Sequence, residues 1–250
     1  MVIREENCFY PDHIIYSDPS SYGFVKEELM IQERLHGWII QPRAAVVSPA
    51  TIVHLHGTAE NMTSHVTAAL FLPEMGHRLV TFDYSGYGRS KGEPSLRQIQ
   101  DDARAVFHHI FAHPETFGSA IFGFGQSMGA YTLARVLPDF PSLKGAILEA
   151  GLHSFHALFS EAYPQIPCEV PEEGFSALDT LPLSPVPKLF IHGTNDPVVP
   201  HTHSIRMHEV AREPKEIVIL DGVGHIDAFV SRHARQYMLE IHSFIEKHRG

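Results

Sequence analysis

The sequence predicts an α/β fold in which one mostly parallel sheet of eight strands is flanked by helices on both faces. Three observations point there. Short apolar runs rich in β-branched and aromatic residues recur along the chain, and from residue 79 onward they alternate with segments of helical period. No internal repeat, low-complexity tract or long polar linker interrupts this order, so residues 1–250 are expected to form a single domain.

The elements follow in order. "GFVKEELMI" (23–31) and "LHGWIIQP" (35–42) are offset by a few polar residues, as in an antiparallel hairpin, and "TIVHLH" (51–56) is the third strand. Five further runs complete the count of eight: "LVTFDY" (79–84), "SAIFGF" (119–124), "GAILEA" (145–150), "KLFIHG" (188–193) and "EIVILD" (216–221). Helical period is clearest in Ile99, Ala103, Val106, Phe107 and Ile110, and again in Tyr237, Met238, Ile241, Phe244 and Ile245. Residues 152–187 break the rhythm with six prolines, which reads as a short lid or cap over one edge of the sheet. Ligands of open α/β sheets bind near the carboxyl ends of the strands.

Composition excludes several classes. Hydrophobic residues are 44% and charged residues 19%, enough to bury a core, and the formal charge of −10 opposes binding to polyanions such as nucleic acid. Cys8 and Cys168 stand outside any metal or redox spacing and read as reduced thiols. Arg4, Glu5 and Glu6 fall where a secretory peptide needs apolar residues, and no run is long enough to span a membrane; a cytoplasmic protein is expected.

"GQSMG" (125–129) has the form G-x-S-x-G, a turn that presents a serine between a strand and a helix. By composition alone, roughly one chain in twelve of this length would contain it, so its surroundings must carry the inference. An apolar strand precedes Ser127 and the helix former "MGAYTLARVL" follows, which puts helix N-terminal amides, that of Met128 first, beside an oxyanion. A serine needs a base, and the base an orienting acid, in the chain order serine, acid, histidine. Asp196 in "TNDPVVP" and His225 in "GVGH" each follow a later strand in that order. Glu149, which also ends a strand, is the rival acid. In "HLHGTAEN" (54–61) the Thr58 backbone N–H is the second expected oxyanion donor, with Ala59 as the alternative. His54 and His56 form an H-x-H without a third ligand at a known spacing, so no metal is expected.

The blocks "HGTAEN" (56–61), "FDYSGYGRSKGEPS" (82–95), "GQSMG", "HGTNDPVVP" (192–200) and "GVGH" together resemble the α/β-hydrolase superfamily, from the third strand to the last loop. They are especially similar to α/β-hydrolase-domain serine hydrolases that include protein depalmitoylases and lysophospholipid lipases; bacterial esterases and serine peptidases share them. The resemblance implies the α/β-hydrolase fold, Ser127 as nucleophile, Asp196 as acid, His225 as base, the Thr58 and Met128 amides as oxyanion hole, and no cofactor. Two departures are visible. "TAEN" stands where relatives often have "NAEN", and the N-terminal helix or cysteine cluster of membrane-attached relatives is missing, which argues against a lipidated protein at a membrane as substrate.

The expected activity is hydrolysis of a carboxylic ester or thioester through an acyl-enzyme, on a small-molecule substrate. Phe155, Phe159 and Tyr163, with Phe175, are the candidate lining of an acyl pocket. An aminopeptidase-like hydrolase with the same triad is the alternative, and it needs a carboxylate such as Glu161, Glu172 or Glu173 to hold a substrate ammonium. A hydrolase-fold binding protein without turnover is the third reading. The absence of a Lys or Arg cluster near the motifs gives no support for coenzyme A esters.

Overall fold

The computed structural model describes residues 1–45 and 49–250. Eight strands form one sheet: β1 (Lys26–Ile31), β2 (Leu35–Ile40), β3 (Thr51–Leu55), β4 (Arg78–Phe82), β5 (Ile121–Gln126), β6 (Gly145–Glu149), β7 (Lys188–Gly193) and β8 (Lys215–Leu220). Their spatial order is β8-β7-β6-β5-β3-β4-β2-β1. All neighbours are parallel except β1 with β2 and β2 with β4, so the hairpin extends an otherwise parallel sheet.

The central strands β3, β5, β6 and β7 are buried along their whole lengths, as strands covered on both faces must be. One face packs against α1 (Leu96–Ala112) and α2 (Met128–Val136), the other against α5 (Ala234–His248) and the short turns around Met62, Val66 and Leu72. The residues that carry the helical period of α1 are all buried, and the Ser95 side chain accepts the Gln98 N–H at its N-terminus; such a cap stabilises by about 1 kcal/mol.

Between β6 and β7 the chain makes its excursion, with one regular helix, α3 (Phe155–Ala162), capped by Ser154. Helix α4 (Thr202–Val210) then joins β7 to β8. A parallel two-residue pairing of Tyr10–Pro11 with Ala59–Glu60 straps the N-terminal segment onto the loop after β3. Cys8 and Cys168 are free thiols. Among the described residues no helix is long and apolar enough to cross a membrane.

Candidate active site

Strand β5 runs two residues further than its apolar run suggests and ends against Ser127, whose backbone has φ 55 and ψ −116. A non-glycine residue in that conformation costs about 1–3 kcal/mol. Packing enforces the turn: a Cβ at Gly125 would lie 2.4 Å from the Gly129 carbonyl oxygen, and one at Gly129 would lie 1.8 Å from that of Leu55. The Ser127 N–H donates to the Glu149 carbonyl at 2.9 Å, tying the elbow to the next strand.

Asp196 lies in the loop after β7 with its side chain fully buried. Its Oδ2 accepts from His225 Nδ1 at 2.6 Å and from His192 Nε2 at 3.1 Å, while Oδ1 accepts the Val198 and Val199 N–H groups, each at 2.8 Å. Burial alone would raise this carboxyl, but the hydrogen bonds from His192, His225 and the Val199 amide outweigh it and hold the group well below its ordinary value. Asp196 is therefore a carboxylate, and it fixes the His225 proton on Nδ1, leaving Nε2 as the basic nitrogen. Ser127 and His225 line the same cavity of about 200 Å³, together with Gly57, Thr58, Ala59, His65, Val198 and Ile226. Ile226, directly after His225, is itself at φ 58.

Glu149 is held elsewhere. Its carboxyl is fully buried and accepts from Gln126 Nε2 and from the Tyr237 hydroxyl, both at 2.7 Å. Burial raises it above the ordinary value despite these bonds. Gln126 continues the contact to His54 Nε2 at 2.9 Å, and His54 Nδ1 meets Thr81 Oγ1 at 3.1 Å. His54 thus belongs to a polar chain that crosses the sheet beneath Ser127. His56 instead donates from Nδ1 to the Gly57 carbonyl at 2.8 Å, so the two rings of H-x-H serve different partners.

That His56 bond bears on the loop after β3. The Thr58 N–H, antiparallel to the Gly57 carbonyl across a planar peptide, faces away from the His56 ring. The Thr58 carbonyl is held in turn by the Tyr10 N–H at 3.1 Å and the Tyr87 hydroxyl at 2.9 Å, and the Thr58 hydroxyl donates to the Cys8 carbonyl. Gly57 lets the His65 ring pack against this turn, since a Cβ there would lie 2.9 Å from the ring and would have to displace it. Met128, fully buried, opens α2 directly after Ser127.

The aromatic residues of the excursion fall elsewhere than expected. Phe155, Phe159 and Tyr163 do not line the Ser127 cavity among the described residues. Phe155 packs edge-on against Tyr131, and Phe159 and Tyr163 line a separate cavity of about 290 Å³ with Met1, Val2, Ile3, Asn7, Tyr10 and Ile166. Phe155 also meets Phe9 of the N-terminal segment, with ring centroids 6.3 Å apart, a long-range contact that local period does not encode. The acids proposed for an ammonium are also engaged: Glu161 pairs with Arg206 at 2.8 Å and Glu172 stands 3.5 Å from His156, and none of Glu161, Glu172 and Glu173 lines the cavity. Sequence reasoning missed His192, His65 and Tyr87. Only His192 had a local signal, as the last polar residue of a strand four positions before the acid.

Comparison with known proteins agrees with this architecture. A family model described as "Serine aminopeptidase, S33" matches residues 48–171. The chain is 32% identical over 242 residues to the uncharacterized protein YfhR of Escherichia coli K12, covering 95% of this chain and 85% of the relative. It is 26% identical over 204 residues to the alpha/beta hydrolase domain-containing protein 17C of Xenopus tropicalis, 81% of this chain and 64% of that one. Among solved structures, the esterase Pf2001 of Pyrococcus furiosus superposes with a TM-score of 0.77 at 18% identity, over 97% of this chain and 98% of the other, a likeness of fold.

Proposed function

Since the chain belongs to the α/β-hydrolase superfamily, we propose that it is a serine hydrolase of carboxylic esters or thioesters with short apolar acyl groups. The observation that carries this reading is the 2.6 Å contact of His225 Nδ1 with the Asp196 carboxylate, on a ring that shares its cavity with the strained Ser127. In the proposed cycle Ser127 Oγ attacks the acyl carbon while His225 Nε2 takes its proton. The imidazolium that forms is stabilised by Asp196. The negative charge moving onto the acyl oxygen is met by the Met128 and Thr58 amides. His225 then returns the proton to the departing alcohol or thiol, and water repeats the sequence on the acyl-serine.

The size of the cavity supports short acyl groups. At about 200 Å³ it is smaller than the roughly 300–1,000 Å³ of pockets for drug-sized ligands. The family description favours a second reading, amide hydrolysis at a free amino terminus. Against it stands the absence of any acidic side chain among the described residues that line the cavity.

A fluorophosphonate probe tests the nucleophile: wild type should be labelled and Ser127→Ala should not. Equal labelling of both, or none of wild type, overturns the assignment. Turnover of aryl esters of increasing chain length, set beside aminoacyl anilides, tests the substrate class; faster cleavage of the anilides reverses it.

A further inference from the structure

Among the described residues two clusters of metal-ligating side chains lie outside the Ser127 cavity, and the positions of their protons separate them. His153, Glu161 and His203 form one. There His203 Nδ1 accepts the His153 backbone N–H at 3.3 Å, so the neutral His203 ring carries its proton on Nε2, 3.3 Å from Glu161. That nitrogen has no lone pair to offer a cation. The Arg206 guanidinium also occupies this cluster, 2.8 Å from Glu161 and 3.4 Å from His153 Nε2.

His77, His242 and Glu246 form the other. His77 is buried in the turn just before β4, and His242 and Glu246 stand four residues apart on α5, on one face of the helix. His77 Nε2 and His242 Nδ1 face each other at 3.0 Å, and the three ligand atoms lie within 4.8 Å of one another. Arg249 holds Glu246 Oε1 at 2.7 Å, which leaves Oε2 for the histidine pair. Among the described residues His77 Nδ1 has no hydrogen-bond partner, so no contact forces the ring proton onto Nε2.

We propose that His77, His242 and Glu246 bind a borderline divalent cation of the Zn²⁺ type, with water in the fourth position. Two imidazoles and a carboxylate are a donor set that suits this ion. Zinc–nitrogen bonds of about 2.0–2.1 Å at a tetrahedral angle place ligand nitrogens roughly 3.3 Å apart. The pair therefore needs to open by only about 0.3 Å from its 3.0 Å contact. The site lies at the amino end of β4, whereas Ser127 follows the carboxyl end of β5, so the cation pins α5 to the sheet and takes no part in acyl transfer.

Calorimetric titration of Zn²⁺ into chelator-stripped, tag-free protein tests the proposal. Wild type and His153→Ala should each bind one tight equivalent that raises Tm. In His242→Ala and in Glu246→Gln the same binding should weaken roughly tenfold or more. Glu246 is exposed, so its variant still reads the site should His242→Ala fold poorly. Equal Zn²⁺ affinity in wild type and both variants, loss of binding in His153→Ala instead, or no tight equivalent in wild type overturns the proposal.

Discussion

As candidate site residues, Ser127, Asp196 and His225 can each be picked out because each follows a strand whose apolar run is visible in the sequence, and ligands of open α/β sheets bind near the carboxyl ends of the strands. The contacts that set their chemistry are less legible. The Glu149 carboxyl meets Gln126 and Tyr237, partners 23 and 88 positions away, and no local pattern announces such a pair. Two substitutions separate the acids. Asp196→Asn should lower kcat/KM on the order of 10⁴-fold, because the wrong imidazole tautomer is then favoured, whereas Glu149→Gln should change it far less; steady-state kinetics showing the opposite ranking would move the role to Glu149. The two groups also differ in what pH does to stability. Glu149 is raised in the fold above its ordinary 4.5, so its contribution is full below that value and is lost as pH rises through the raised one. Asp196 is lowered below its ordinary 3.8, so its contribution is present above that value and is lost as acid protonates it. Thermal melts should accordingly show Glu149→Gln gaining Tm relative to wild type as pH rises above the ordinary glutamate range; a constant offset would mean that Glu149 is already ionised throughout.

At the level of elements, the strands could be read because the central apolar runs are nearly continuous, the edge runs are rich in β-branched or apolar residues, and the longer helices keep a clean period. The pairing of Tyr10–Pro11 with Ala59–Glu60 could not: it is two residues long, parallel, and joins segments some fifty positions apart. Yet that strap and the Tyr87 hydroxyl together orient the peptide beside the proposed oxyanion donor. Tyr87→Phe removes one of the two bonds to the Thr58 carbonyl, worth about 1 kcal/mol. The expected outcome is a fall in kcat of about fivefold with KM unchanged. A rise in KM at constant kcat would show that the loop shapes binding and not the charge developed in the reaction. The segment that carries this strap also meets α3, where Phe9 faces Phe155 and Tyr10 lines the cavity of Phe159 and Tyr163, apart from the Ser127 cavity.

For the molecule as a whole, the sequence indicates an α/β class but not the order in which its strands lie side by side, because each crossover is settled by packing between distant segments. The shared direction of the parallel strands β4 and β5 puts the proposed acyl chemistry at their carboxyl ends and the His77–His242 pair at their amino ends. Chelator should therefore lower the Tm of zinc-loaded protein while the rate of fluorophosphonate labelling stays constant; a parallel loss of labelling would mean that the two ends communicate. The cavity wall has a further meaning for how such a chain diversifies. Val198 and Ile226 belong to the same two loops that carry Asp196 and His225. At 198 the backbone amide serves Asp196 while the side chain faces the cavity, so under the proposed function a new residue other than proline should alter which acyl group fits and leave the Asp196 contact in place. At 226 the side chain sits on a strained backbone directly after His225, so under the proposed function a change there should shift selectivity and rate together. Divergence toward new substrates has one permissive route through position 198 and one hazardous route through position 226.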